Sequence, residues 1–197
     1  MVIDRAKYMD LEEARQLRTV TEARAIMDLR KGRVNGVHAW MLIDLALSTG
    51  MRVSEMANLK IKDIDIKRGC LKVTRMKRKK KVTETLAIGK ELIQHLKDYI
   101  EWADLKRGSL FVGSRGPLTA QGLQRIWKRS INVAGLPKEL SIHCARHTIA
   151  VHLLRKTQNL RQVQKQLGHA SPATTANMYA DISFEDMQNG VTGLYEK

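Results

Sequence analysis

Four short segments of the chain contain side chains that could act together on an anionic group. The segment TGMRVSEMANL places Arg52 just after a glycine that ends a helix, with Glu55 three residues further on. The segment HCARH puts His143 and Arg146 on one face of a predicted helix start, a position that favours anions. A lysine-rich run, KRKKK, occupies residues 77–81, and LGHASPATTANMYAD contains a histidine and a tyrosine. Because planar guanidinium groups bind phosphate oxygens well, these residue types indicate chemistry on a phosphate.

Each of these residues also has an ordinary structural explanation. An isolated arginine such as Arg52 is usually a surface charge, and single histidines such as His143 and His169 more often make structural hydrogen bonds. Tyr179, the tyrosine of the last segment, could simply pack at a helix corner. Only the joint occurrence of the four segments favours catalysis.

The net charge is the strongest signal in the composition. The chain has 35 Lys and Arg against 20 Asp and Glu, a formal charge of +15. Such a charge attracts a polyanion and supplies sequence-independent affinity through counterion release. A simple basic binding protein would share this property, so the charge alone does not separate a DNA enzyme from a DNA-binding module.

Several other classes of protein are disfavoured by the sequence. The longest apolar stretch, AWMLIDLALSTG, is interrupted by Asp44 and is too short to cross a bilayer, so we expect no membrane association. The N-terminal residues lack an apolar stretch followed by a cleavage site, and we expect a cytoplasmic protein. The two cysteines, Cys70 and Cys144, have no paired spacing, which argues against a disulfide framework or a zinc site.

The elements that must position these side chains are mostly helices. Asp10 and Glu13 have the spacing of a capping box before the first helix. A second helix over residues 37–49 is apolar nearly all round and should be central to the core, with Gly50 ending it. Further helices are predicted over residues 90–103, after a Thr119 cap, after a Ser141 cap, and over LRQVQKQLG.

Short β-branched runs interrupt the helical pattern. IDI, CLKVTRM and VTETLAI predict a small antiparallel sheet, with the KRKKK run as a loop between the last two strands. SLFVG predicts one more short strand. The pattern predicts an α+β fold, mainly α-helical, with no clear domain boundary.

The four segments resemble, in kind and in order, the motifs of the tyrosine recombinases, the phage-integrase family. That family has an arginine in TGxRxxE, a lysine in a β-hairpin, HxxRH opening a helix, and LGH followed by TT and a tyrosine. The resemblance spans roughly Leu11 to Asp181. It implies the catalytic-domain fold of that family, double-stranded DNA as the partner, and DNA strand breaking and rejoining without metal, cofactor or ATP.

The resemblance also implies a role for each residue. Arg52 and Arg146 would bind the non-bridging phosphate oxygens, and Tyr179 would attack to form a 3′-phosphotyrosine. His143 would act as acid or base toward the tyrosine, and His169 would hydrogen-bond the phosphate. A hairpin lysine would protonate the departing 5′ oxygen.

The tyrosine segment departs from the family spacing. Tyr179 follows His169 by ten residues, where the family usually has nine. One extra residue would rotate the tyrosine by about 100° in an unbroken helix, so we expect a bulge or loop in this segment. Tyr195, near the end of the chain, is the competing and less favoured nucleophile.

The hairpin departs from the family pattern as well, because TRMKRKKKV lacks the usual glycine-bearing turn. Matching TRMK to the family's first strand selects Lys77, whereas counting back from LAIG selects Lys79; we prefer Lys77. Arg78, Lys79, Lys80 and Lys81 are expected to contact DNA phosphates. His147 and Glu55 are assigned structural roles, Glu55 as a residue that orients its basic neighbours.

The whole chain, residues 1–197, is interpreted as a single catalytic domain with a core at about 10–181 and a tail at 182–197. The family's N-terminal DNA-clamping domain is expected to be absent, as in an excised domain or a minimal recombinase. We expect a monomer in free solution and a homo-tetramer on DNA, with the tail packing in cis or on a neighbour. The alternatives are a type IB topoisomerase and a non-catalytic DNA-binding accessory factor of the same fold.

Overall fold

The structure, a computed structural model, describes residues 8–77 and 80–168. Its helices are α1 (Leu11–Arg30), α2 (Asn35–Thr49), α3 (Val53–Ala57), α4 (Lys90–Trp102), α5 (Ala120–Val133), α6 (Ile142–Thr157) and α7 (Leu160–Leu167). Its strands are β1 (Ile64–Asp65), β2 (Cys70–Lys77), β3 (Lys80–Ala87), β4 (Val112–Gly113) and β5 (Gly116–Pro117). Strands β1, β2 and β3 form an antiparallel sheet in that order, and β4 pairs with β5. The predicted α+β fold, mainly helical with a small antiparallel sheet, is confirmed.

The helix ends follow the capping residues in the sequence. The Asp10 carboxylate accepts a hydrogen bond from the Glu13 amide at 2.8 Å, and the Glu13 carboxylate accepts one from the Asp10 amide at 3.0 Å. Thr119 Oγ1 accepts from the Gly122 amide at 3.1 Å and begins α5. Ser141 precedes α6 as predicted, but its side chain makes no capping hydrogen bond. The predicted helix starts are therefore right, and one of the expected side-chain caps is not formed.

Helix α2 lies at the centre of the core, as its sequence predicted. Most of its residues are buried, and it packs against α1, α4, α5 and α6. Asp44, on this helix, is buried and pairs with Arg18 and with His95 Nδ1, the latter at 2.9 Å. A separate small cluster of Ala150, Val163 and Leu167 joins α6 to α7. This cluster holds the end of α7 beside the main body.

The hairpin differs from the prediction that residues 77–81 form a loop. Strand β2 continues to Lys77, and β3 begins at Lys80, so that Lys77 pairs with Lys80 and Met76 with Lys81. Lys80 and Lys81 are exposed strand residues. Lysines are tolerated in these positions because ladder hydrogen bonds satisfy the backbone while exposed side chains remain in water.

The predicted strand SLFVG is also shorter than expected. Only Val112 and Gly113 of this segment lie in a strand, and Ser109 forms an isolated bridge with Lys60. None of the described helices combines the length and apolar character needed to cross a membrane.

Candidate active site

Arg146 is held by two helix ends. Its side chain is buried in the first turns of α6, with Nη1 donating to the carbonyl of Gly50 at 2.9 Å and Nη2 to that of Leu167 at 2.6 Å. Gly50 ends α2 and Leu167 is the last residue of α7, so three separate elements meet at this guanidinium. The two carbonyls fix its orientation without neutralising its charge.

Arg52 lies at the start of α3 and is much more exposed. Its Nη1 donates to Glu55 Oε1 at 2.8 Å, and its backbone amide donates to Glu55 Oε2 at 3.0 Å. Glu55 is buried, whereas the Arg52 side chain is 43% exposed. The buried carboxylate therefore anchors an arginine whose other face is open to solvent.

Arg75 is a third arginine of this cluster that sequence reasoning missed. It is 3% exposed, with Nε at 3.3 Å from Glu55 Oε1 and Nη1 at 2.9 Å from Glu84 Oε2. The strand period contained a signal, because Leu71, Val73 and Arg75 alternate on one face of β2 and all three are buried. An arginine in an inward-facing strand position requires a buried partner.

His143 lies on the exposed side of the same helix start as Arg146. Its ring contacts the ring of His147, with centroids 4.8 Å apart, a contact that was not predicted. Desolvation of the ring lowers the pKa of His143, and the charges of Arg146 and Arg52 lower it further. The imidazole is therefore neutral near pH 7, as a proton acceptor must be.

The same crowding acts on Arg146. Burial and the charge of Arg52 lower the pKa of Arg146 to about 10, with a further contribution from Arg75, while Glu55 opposes the shift. The guanidinium remains protonated at neutral pH. Its lowered pKa means that an anion bound beside it would relieve charge repulsion.

A groove of about 420 Å³ opens between α3, α5 and the start of α6. Arg52 and His143 line it together with Gln124, Trp127 and Lys128 of α5. Trp127 is fixed by a hydrogen bond from Nε1 to the carbonyl of Leu140 at 2.8 Å. The groove is thus lined by basic side chains and by a tryptophan whose orientation is fixed.

The remaining predicted site residues lie at the limits of what is described. Lys77 ends β2, and its side chain is outside the described part, as are Arg78 and Lys79. His169 and Tyr179 also lie outside the described residues, so their predicted roles stay predictions. Gly168, the last described residue before His169, lies against Arg75. The chain therefore leaves the described region beside the arginine cluster.

Within residues 8–77 and 80–168, no group of three or more His, Cys, Asp or Glu side chains is arranged to hold a metal ion.

Residues 16–186 match the profile of the phage integrase family. Tyrosine recombinase XerD of Staphylococcus saprophyticus is 32% identical over 180 residues, which cover 86% of this chain and 60% of that protein. Tyrosine recombinase XerC of Corynebacterium efficiens is 37% identical over 146 residues, covering 72% of this chain and 46% of that one. The chain thus spans about 60% of the length of the XerD relative, and a smaller share of XerC.

Solved structures give the same match. The crystal structure of XerA recombinase superposes with a TM-score of 0.75 at 25% identity, covering 96% of this chain and 64% of that one. XerH site-specific recombinase, bound to its difH substrate in a pre-cleavage complex, gives a TM-score of 0.73 at 26% identity and covers 94% of this chain and 54% of that one.

Proposed function

The chain belongs to the phage integrase family of tyrosine recombinases, and we propose that it breaks and rejoins DNA strands at specific sites through a covalent phosphotyrosine. The observation that carries the proposal is the junction of Arg52, Arg146 and His143. Arg52, at the start of α3, and His143, in the first turn of α6, line one basic groove, and Arg146 is buried in the same helix start, held by the ends of α2 and α7. Such a junction suits a phosphate that gains negative charge during the reaction.

Arg52 and Arg146 are assigned to the non-bridging oxygens of the scissile phosphate. Arg146 has its orientation set before DNA binds, since two carbonyls already hold it. Arg52 has an exposed face to offer because Glu55 occupies only part of its guanidinium. Charge developing on a pentacoordinate phosphorus would thus meet fixed donors, and little reorganisation would be needed.

Tyr179 is assigned as the nucleophile. Its oxygen attacks the phosphorus, the bond to the 5′ oxygen breaks, and the product is a 3′-phosphotyrosine. Neutral His143 accepts the tyrosine proton, His169 hydrogen-bonds the phosphate, and a hairpin lysine, Lys77 in preference to Lys79, protonates the departing oxygen. The energy of the phosphodiester is retained, so a 5′ hydroxyl of another strand can reverse the step without ATP or metal.

Double-stranded DNA is the proposed partner, and the similarity to XerH recombinase bound to its difH substrate supports it. Arg78, Lys79, Lys80 and Lys81 are proposed to contact phosphates beside the cleavage site. The chain is proposed to act in the cytoplasm, as a monomer that assembles into a tetramer on two duplexes. Sedimentation with and without DNA tests the assembly, and a stable tetramer without DNA would contradict it.

A nicked suicide substrate tests the nucleophile. DNA flanking the gene for this chain, nicked near the cleavage position, is incubated with the unsubstituted protein, Tyr179→Phe and Tyr195→Phe. We expect a covalent adduct on a denaturing gel that is lost only in Tyr179→Phe. Loss only in Tyr195→Phe would reassign the nucleophile, and no adduct with any protein would argue for a non-catalytic DNA-binding factor.

A further inference from the structure

Arg75 is a buried arginine beside Arg52 and Arg146, and it is not one of the residues to which the sequence assigned a catalytic role. Its side chain is 2% exposed, and it contacts two carboxylates, those of Glu55 and Glu84. Among the described residues its Nε makes no aligned hydrogen bond, because the 3.3 Å contact with Glu55 is an ion contact only. A buried guanidinium with one N–H donor lacking a hydrogen bond lowers the stability of the fold, so its presence needs a reason other than stability.

The contacts of Arg75 join four elements at one point. The residue itself is in β2, Glu84 is in β3, and Glu55 is in α3. Its Nη2 also lies 3.5 Å from the carbonyl of Gln166 near the end of α7. The neighbouring carbonyl, that of Leu167, accepts the hydrogen bond from Arg146. Arg75 thus connects the β2–β3 hairpin to Arg52 through Glu55, and to Arg146 through the end of α7.

The connection to Arg52 passes through a single atom. Glu55 Oε1 lies 2.8 Å from Arg52 Nη1 and 3.3 Å from Arg75 Nε. A movement of Arg75 would therefore change the position or the charge sharing of the carboxylate that anchors Arg52. Two arginines on one carboxylate also leave Arg52 less completely neutralised than a simple pair would.

The connection to the hairpin lysine passes along β2. Position 77 is two residues beyond Arg75, and the period of a strand puts positions 71, 73, 75 and 77 on one face. Two residues of strand span about 6.6 Å. Fixing Arg75 against Glu55 therefore also fixes the β2 backbone near residue 77.

We propose that Arg75 is a positioning residue, which locks the β2–β3 hairpin to the Glu55–Arg52 pair and so sets the hairpin lysine at the 5′ oxygen of the phosphate that the arginines bind. The inference rests on the proposed function. It assigns Arg75 no contact with DNA and no proton transfer of its own.

The close approach of Gly168 supports this role. A Cβ atom built at residue 168 would overlap the guanidinium of Arg75 and would lie 2.7 Å from Glu84 Oε2. The backbone φ of +64° at Gly168 suits glycine as well. The turn that ends α7 at Gly168 is therefore packed directly on Arg75, so Arg75 contacts the end of α7 as well as the hairpin.

The test compares two leaving groups in single-turnover cleavage at saturating DNA. One substrate is ordinary nicked DNA, and the other has sulfur in place of the bridging 5′ oxygen at the scissile phosphate. A thiolate leaves without a proton, so the sulfur substrate needs no acid. We expect Arg75→Met to cleave the oxygen substrate about 100-fold more slowly, the cost of a small misplacement, and to recover most of that loss with sulfur. Lys77→Ala should show the same pattern.

Two further variants separate positioning from general damage. Arg52→Ala should be slow on both substrates, because it removes phosphate binding and leaves the acid in place. Asp44→Asn removes another buried carboxylate, one that pairs with Arg18 and His95 in the core, and should leave the ratio of the two rates unchanged below its melting temperature. If Arg75→Met fails to fold, Glu84→Gln replaces it, because it removes the ion pair that holds Arg75 to β3. We expect Glu84→Gln to slow cleavage of the oxygen substrate less than Arg75→Met would, and sulfur to restore that smaller loss.

Equal slowing of Arg75→Met on both substrates, or no slowing at all, would overturn the inference while leaving the proposed function standing. Absence of any adduct with the unsubstituted protein on either substrate would overturn the proposed function, and the inference with it.

Discussion

At the scale of single residues, the three arginines differ in what holds them. Arg146 is held by neutral carbonyls, Arg75 by two carboxylates, and Arg52 by one carboxylate with an open face. Only Arg52 combines a carboxylate partner with an exposed side chain. The division suggests that Arg146 supplies permanent charge, Arg52 adapts to the substrate, and Arg75 supports the frame.

The protonation of His143 depends on this division. Arg52→Gln removes one of the charges that lower the pKa of His143, so we expect that pKa to rise toward the ordinary value near 6.5. NMR titration of the ring protons measures it. His152 is the internal control, since burial and Arg155 lower its pKa. A pKa of His143 that is the same in Arg52→Gln as in the unsubstituted protein would mean that Arg52 does not act on the ring.

The sign of the pH effect follows from the same shift. Because the folded protein lowers the pKa of His143, the unfolded chain binds more protons, and this residue's contribution to stability is lost as the pH falls below 6.5. Cleavage should fall in the same direction if neutral His143 accepts the tyrosine proton. His143→Gln should remove that acid limb from the pH dependence of adduct formation. An acid limb that persists in the variant would assign it to another group.

The fork of Arg146 matters as well as its charge. Arg146→Lys keeps a positive charge, but an ammonium cannot reproduce the planar fork that bonds the carbonyls of Gly50 and Leu167. We expect adduct formation to slow by about 100-fold, as when a fixed transition-state donor is lost. Single-turnover cleavage measures it. Arg155→Lys, at the exposed end of the same helix, is the matched control, and equal losses in both variants would contradict the assignment.

At the scale of elements, Gly50 links the end of α2 to α7. It has a φ of +64°, and a Cβ there would lie 2.7 Å from Leu167 Cδ2. Gly135 has nearly the same φ, +67°, but nothing lies within 4 Å of its Cβ position. The pair of glycines therefore separates backbone strain from crowding.

We expect Gly135→Ala to lower the free energy of unfolding by about 1 to 2 kcal/mol, the cost of a left-handed residue with a side chain. Gly50→Ala should cost a further ~1 to 3 kcal/mol, because Leu167 must move. Urea denaturation with a common slope measures both values. Equal losses would mean that α7 shifts without a cost in free energy. In that case α7 does not hold the Leu167 carbonyl in place for Arg146.

The elements also show what local sequence could predict. The helix starts at Asp10 and Thr119 and the glycine stop of α2 were predictable, because caps are local. The extent of β2 and β3 was not, because a lysine run has a poor strand propensity and its pairing is made across the hairpin. Tertiary pairing decided that segment.

At the scale of the whole molecule, the same distinction applies to the site. The motif spacing predicted that Arg52, His143 and Arg146 act together; in the structure Arg52 and His143 line one groove, and Arg146 lies buried where α6 meets the ends of α2 and α7. The pairing of Arg75 with Glu55 and its packing on Gly168 join residues far apart in the chain, and no local pattern encodes such contacts. Composition gave the charge of the molecule, but where the charge acts depends on the fold.

The charge of +15 leads to a prediction for DNA binding as a whole. Lys80 and Lys81 are exposed on β3, at the end of the hairpin nearest residues 78–79. If each contacts a phosphate, the double variant Lys80→Ala/Lys81→Ala should reduce the slope of log affinity against log salt by about 2, since each contact contributes about 0.9. Fluorescence anisotropy across a salt series measures the slope.

Lys106→Ala is the control, because that exposed lysine already faces Asp104 at 3.5 Å. An unchanged slope in the double variant would place the phosphate contacts elsewhere on the protein. A slope reduced as strongly in Lys106→Ala would mean that the net charge, and not the hairpin, determines the affinity.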